Sequence, residues 1–179
     1  MSTIFESAPY RNLTLTGPMG VGKTSIGRQV ARQLNAQFYD LENEILTREG
    51  QTVDEIRELF GEARLRGLEA EAIHELVLRR SSVLVISGPA MLDDNNRARL
   101  FEAGPVLCLT CAINEILRRL HVARGAWFHN PANRGVLLSR LKRERRVLNL
   151  DLPKLDTTTL STQQAVEFVV EFWLTRAEV

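Results

Sequence analysis

Gly17-Pro18-Met19-Gly20-Val21-Gly22-Lys23-Thr24 fills every position of the phosphate-binding pattern G-x-x-x-x-G-K-[ST], and the apolar alternation of Leu13 and Leu15 stands directly before it. Glycines let successive N–H groups turn toward phosphate oxygens, and a helix opening at the end of the loop adds its positive dipole end. Residues 25–34 have the period of that helix, with apolar Ile26, Val30 and Leu34 four apart. Strand before and helix after are the context the motif needs, so a nucleoside triphosphate is the expected ligand. Gly17, Gly20, Val21, Gly22, Lys23, Thr24 and Ser25 are the expected nucleotide-binding residues. Lys23 is expected at the β- and γ-phosphates and Thr24 at Mg²⁺.

Working outward, five short apolar segments alternate with helical patterns: Leu13–Thr16, 37–41, 83–87, Val106–Thr110 and a weaker one at 155–158. Strand-helix alternation predicts an α/β fold, a five-stranded parallel sheet with helices on both faces. Pro153 assigns the last segment to an edge. Ser161 with Gln164 reads as a capping box before an apolar stripe of Val166, Val169, Val170 and Trp173. The stretch 123–134, with Gly125, Asn130, Pro131 and Gly135 in or beside it, reads as a loop inserted between helices, the place for a lid.

The 179 residues fit one domain, 1–179, with the lid at about 121–135. Hydrophobic residues at 44% and charged residues at 25% exclude disorder, and no apolar run reaches the roughly 18 residues of a membrane span. Residues 1–11 lack a basic segment followed by an apolar one, so a cytoplasmic protein is expected. A formal net charge of +1 gives no bulk case for nucleic acid, although arginine is dense between Arg134 and Arg146. Cys108 and Cys111 have C-x-x-C spacing, but His74, His121 and His129 supply no ligand pattern to complete a zinc site. Cys108 lies in an apolar run, where core packing is the expected role.

No N-K-x-D guanine signature is present, and the third segment ends in Ser87-Gly88-Pro89 where many ATPases carry an acidic pair. Asp40 instead closes the second segment, at the edge where open α/β sheets place ligands. After the loop come Asp40-Leu41-Glu42, then 61–69 (GEARLRGLE), then Ser87-Gly88-Pro89-Ala90, then Arg124-Gly125-Ala126-Trp127, then 144–149 (ERRVLN). This order resembles the shikimate kinase family, whose members carry D-x-D, G-E-x-x-F-R-x-x-E, a glycine triplet, a lid R-P-L-L and E-R-x-P-L-Y in those places. The resemblance runs from about Asn12 to about Val170.

It implies a three-layer P-loop kinase fold, ATP and Mg²⁺ as cofactors, and a small hydroxy carboxylic acid as partner, with a monomer that binds neither nucleic acid nor membrane. Lys23, Asp40 and Arg124 are then the catalytic candidates, with Thr24 and Asp40 at the metal. Asp40 would act through a metal-bound water or as a base, and Arg124 would cover ATP from the lid. Glu42, Arg66, Gly88, Pro89 and Arg145 would bind the acceptor. Arg66 and Arg145 would hold its carboxylate, which suits planar guanidinium forks.

Four departures accompany the resemblance, the first in the lid, where Gly125-Ala126-Trp127 follows Arg124 in place of P-L-L. Pro89 stands at the middle of the triplet with no N–H, beside Ala90 with an added Cβ. Glu42 is one methylene longer than the family's aspartate. Val147 and Asn149 replace the proline and tyrosine of the downstream motif. A kinase for shikimate or a similar hydroxy acid is the first reading. A domain that has lost transfer and binds a nucleotide or effector is the second, and a kinase for a nucleoside monophosphate or gluconate-like acid the third.

Overall fold

Strand β1 (Leu13–Thr16) is buried at all four positions because it lies mid-sheet. Residues 7–178 are described by this structure, a computed structural model; the absence of a leader read from residues 1–11 lies in part outside them. With β2 (Gln37–Asp40), β3 (Ser82–Val85), β4 (Val106–Thr110) and β5 (Lys154–Asp156), the sheet is wholly parallel in the order β2-β3-β1-β4-β5. β5 is the edge that Pro153 requires, since the proline offers only its carbonyl oxygen, which accepts from the Cys108 amide at 2.9 Å. β1 pairs with β3 on one side and β4 on the other, so its end opens the crevice where such sheets bind ligands.

Helix α1 (Lys23–Gln33) leads from β1 to β2. After β2 come α2 (Leu41–Glu49), α3 (Val53–Phe60) and α4 (Glu62–Leu76), and after β3 come α5 (Gly88–Met91) and α6 (Asp94–Ala103). After β4 come α7 (Ile113–Arg124), α8 (Ala126–His129), α9 (Pro131–Glu144) and a 3-10 turn (Arg145–Asn149), and α10 (Thr162–Arg176) follows β5. Side-chain alternation along the strands divides the interior in two. Leu13, Leu15, Val83, Val85, Leu107 and Leu109 meet α1, α7, α9 and α10 on one face. Leu84, Ile86, Val106 and Cys108 meet α2 to α6 on the other. The α10 stripe of Val166, Val169, Val170 and Trp173 is buried in the first core, each side chain contributing about 1.5–3 kcal/mol. Its capping box is present, with the Gln164 amide donating to Ser161 Oγ at 3.1 Å and the Ser161 amide to Gln164 Oε1 at 2.9 Å. Cys108 and Cys111 belong to different cores, and burial pushes the Cys108 thiol up to about 11, so neither is placed for redox chemistry.

Several boundaries differ from the sequence expectation, the fifth strand among them, which runs Lys154–Asp156. Leu41 opens α2 instead of ending a strand, because Asp40 Oδ1 caps that helix by accepting from the Glu42 amide at 3.1 Å. The third strand stops at Val85, and Ser87 caps α5. The stretch 123–134 is mostly helical: Asn130 caps α9 through the Ala132 amide at 3.0 Å, and Pro131 sits in the first turn, where it breaks no hydrogen bond. Pro131 is therefore a start signal here. Among the described residues no helix is long and apolar enough to cross a membrane.

Candidate functional site

The phosphate loop keeps its shape through backbone that other residues resist. Gly17 has φ +134°, and a Cβ there would stand 2.2 Å from the Leu109 carbonyl oxygen, so the loop lies against β4 only because this side chain is absent. Lys23 Nζ donates to the carbonyl oxygens of Gly17 and Pro18, both at 2.8 Å. Burial lowers the Lys23 pKa, opposed by the carboxylates of Glu144, Glu42 and Asp40 and reinforced by Arg140. A cleft of about 300 Å³ opens beside it, lined among others by Thr24, Asp40, Glu42, Ser87, Arg140 and Glu144. Thr24 Oγ1 donates to Asp40 Oδ2 at 3.0 Å, so a hydroxyl and a carboxylate meet at the loop's exit. These hard oxygen donors suit Mg²⁺, and the residues present therefore fit the ion.

Two further cavities flank the cleft. One of about 380 Å³ lies along the loop and α7, with Gly20, Val21, Gly22, Ser25, Arg118, Arg119 and the segment 157–162 in its walls. Arg119 closes that side by donating to the carbonyls of Gly20 (3.3 Å) and Thr157 (2.9 Å). The other, about 570 Å³, is lined by Glu62, Arg66, Glu69, Pro89, Arg143 and Arg146 together with part of α5 and α6. Glu69 is buried there, and its carboxyl is pushed up to about 7 by burial first and then by Glu62, with Arg57 and Arg66 pulling the other way.

The sequence candidates divide accordingly. Gly20, Gly22, Lys23, Thr24, Ser25, Asp40 and Glu42 share the central cleft, while Arg66 and Pro89 line the arginine-rich cavity. Gly88 allows a close approach: a Cβ on it would stand 2.6 Å from the Glu144 carbonyl oxygen, which ties α5 to the end of α9. Pro89 occupies the first turn of α5, where its missing N–H leaves no helical bond unmade, and the Ala90 amide donates to Ser87 Oγ at 3.4 Å. Arg145 lines none of these cavities; Arg143, two positions earlier, lines one of them together with Arg66. Arg124, the last residue of α7, is exposed with its guanidinium 4.7 Å from the Trp127 ring centroid, outside the cleft.

Sequence reasoning passed over Arg140, Arg143 and Glu144. Their i, i+3, i+4 spacing on α9 is the signal that would have found them, since it sets all three on one helical face. Burial works against the Arg140 charge, yet Glu42, Glu144 and Asp54 together raise its pKa. Burial also raises the Glu42 pKa, with Arg140 opposing and Glu144 and Asp40 adding to the rise.

Residues 19–173 match the family described as Shikimate kinase. A shikimate kinase of Geobacter sulfurreducens is 37% identical over 164 residues, covering 90% of each chain. The solved shikimate kinase from Acinetobacter baumannii in complex with shikimate superposes with a TM-score of 0.76 at 28% identity, covering 96% of each chain. A gluconokinase from Sinorhizobium meliloti shares the fold alone, at a TM-score of 0.61 and 18% identity.

Proposed function

This chain belongs to the shikimate kinase family, and from that membership we propose that it transfers the γ-phosphoryl group of ATP, with Mg²⁺, to a hydroxyl of shikimate, a step of aromatic amino-acid biosynthesis. The observation that carries the reading is the cleft itself, where a complete phosphate loop and the acidic pair Asp40 and Glu42 face each other beside a cavity with three arginines. A relative of the same fold holds shikimate, which supports the acceptor.

Phosphoryl transfer asks a protein mainly to align two substrates and neutralise developing charge. The N–H groups of the loop between Gly17 and Ser25, of which Pro18 has none, and the Lys23 ammonium take the phosphates, Lys23 exchanging its two loop carbonyls for phosphate oxygens. Thr24 and Asp40 would hold Mg²⁺, which when bound supplies charge neutralisation at the β- and γ-phosphates. Asp40 is already committed to Thr24 and to the Glu42 amide, which favours the metal role over that of a base. The nucleoside end fits the cavity between the loop and Arg119, and closure of the lid brings Arg124 inward.

On the acceptor side, Glu42 accepts from hydroxyl groups. Arg66 and Arg143 grip the carboxylate, a pairing favoured over Arg66 with Arg145 because the first two share a cavity. Gly88 and Pro89 form the floor. A single-domain cytoplasmic monomer completes the proposal, and sedimentation at the mass of one chain is its check.

ADP release by the purified protein, coupled to a spectrophotometric readout, is expected to require ATP, Mg²⁺ and shikimate together. ATP binding with no shikimate-dependent release would instead mark a binding domain, and release with gluconate would move the acceptor.

A further inference from the structure

Arg140 is built into the site in a way that the phosphate loop does not call for. Its fork is spent on three carboxylates: Nε on Glu144 Oε1 at 2.6 Å, Nη1 on Asp54 Oδ2 at 3.2 Å and Nη2 on Glu42 Oε1 at 2.7 Å. These partners come from α9, α3 and α2, so one guanidinium joins the helix behind the lid to both helices beside the acceptor. The pairing continues outward. Asp54 Oδ1 accepts from Arg57 Nη1 at 2.7 Å, and Arg57 Nε donates to Glu62 Oε2 at 2.9 Å, in the wall of the arginine-rich cavity. An alternating chain Glu144, Arg140, Asp54, Arg57, Glu62 thus runs from the loop side of the site to the acceptor side.

Glu42 branches from this chain at Arg140. Only its Oε1 is engaged, and among the described residues no donor reaches Oε2, which leaves that oxygen for a ligand in the cleft. Glutamate has one more rotatable bond than aspartate, so an unsupported Glu42 would spread its carboxylate over several positions. Arg140 is itself fixed at its other two nitrogens, and it has only about a fifth of its side chain exposed. A partly buried ion network of this kind adds little net stability over apolar packing. What it does add is a fixed direction.

We propose that Arg140 is a positioning residue for acceptor phosphorylation, holding Glu42 Oε1 so that Oε2 meets the acceptor hydroxyl and the longer side chain performs as a short one would. The inference rests on the shikimate kinase reading above. It assigns Arg140 no contact with ATP, so its loss falls on the acceptor and on turnover, not on the nucleotide.

The test is a kinetic double-mutant cycle with shikimate as the acceptor. Arg140→Met is expected to lower kcat/KM for shikimate about 100-fold, the scale of a misplacement near 1 Å, while the ATP KM stays within about 3-fold. Arg140→Lys, which keeps a donor and the charge balance, is expected to recover kcat/KM to within about 10-fold of wild type. In a Glu42→Gln background, Arg140→Met is expected to add less than about 3-fold, because the residue it positions is already gone. Full additivity in that background, or equal rises in both KM values, overturns the proposal and leaves Arg140 a structural tie. If Arg140→Met is too unstable to assay, the same two criteria are applied to Arg140→Lys. A wild-type protein with no shikimate turnover overturns the functional reading first, and the positioning role falls with it.

Discussion

The phosphate loop lines the central cleft, the acceptor wall runs from that cleft into the arginine-rich cavity beside it, and the two are built by opposite means. The loop is made of backbone: eight contiguous residues and an approach to Leu109 that only glycine allows. The wall is made of side chains from α2, α3, α4 and α9, held by charge, and its central pair, Glu42 and Arg140, are 98 positions apart. Backbone geometry tolerates no substitution at a few positions and is indifferent to the rest. A charge network shares its task among many residues and answers to each in part. Changes in the loop should therefore act all-or-none, and changes in the wall should be graded and selective for one substrate.

The largest expected effect is Lys23→Ala, which removes the one ammonium of the loop and should lower kcat by about 1,000-fold or more in the ADP-release assay. Full turnover in that variant would break the comparison. Arg66→Ala and Arg143→Ala should each raise the shikimate KM about 10- to 100-fold, the value of a charge-assisted hydrogen bond, with the ATP KM changed by less than about 3-fold. Arg145→Ala should change neither beyond about 3-fold. An Arg145 effect equal to that of Arg66 would return the carboxylate grip to the downstream motif.

A wall built on charge also responds to pH. The Glu69 carboxyl, near 7 in the folded chain against an ordinary 4.5, binds its proton more tightly folded than unfolded. Its contribution is fully present below about 4.5 and is lost as pH rises through about 7, a fall of up to about 3 kcal/mol. Urea unfolding at pH 5 and pH 8 should show a steeper loss in wild type than in Glu69→Gln, and parallel losses would contradict the assignment. Glu62 and Glu42 push this group up, and Arg57 and Arg66 pull it down.

The smallest effects separate close approach from open space. Gly88→Ala drives a Cβ toward the Glu144 carbonyl and should cost about 1–3 kcal/mol, seen as a Tm lower by several degrees. Gly67→Ala, with nothing near its Cβ and a helical backbone, should instead stabilise by about 0.5–1 kcal/mol.

These contrasts explain what could be read in the chain. Leu13–Thr16 and Val106–Thr110 were legible to the residue because a buried parallel strand is written as local apolar sequence. The loop was legible because its motif is contiguous. Asp40 is legible at the end of a strand, and Glu42 only through the resemblance to the family's D-x-D. The stretch 123–134 reads as loop in the sequence because Gly125, Pro131 and Gly135 are ambiguous punctuation: only the cap made by Asn130 turns Pro131 into a helix start. Motif order points to Arg145, whereas Arg143 and Arg146 are the arginines of this segment that line the cavity holding Arg66. Arg140, Arg143 and Glu144 share a face that Arg145, where the 3-10 turn begins, does not. No local signal announces that Arg140 meets Glu42 and Asp54, since only its long side chain, in the folded chain, bridges α9 to α2 and α3.

In the proposed function the amide-lined loop and the charged wall act together on one phosphoryl group. Phosphorus NMR of the protein with Mg²⁺, ATP and shikimate tests this most directly. The γ-phosphate signal is expected to decline in step with a new phosphomonoester signal coupled to a ring proton of shikimate. Decline into inorganic phosphate alone, or spectra unchanged by shikimate, would contradict it.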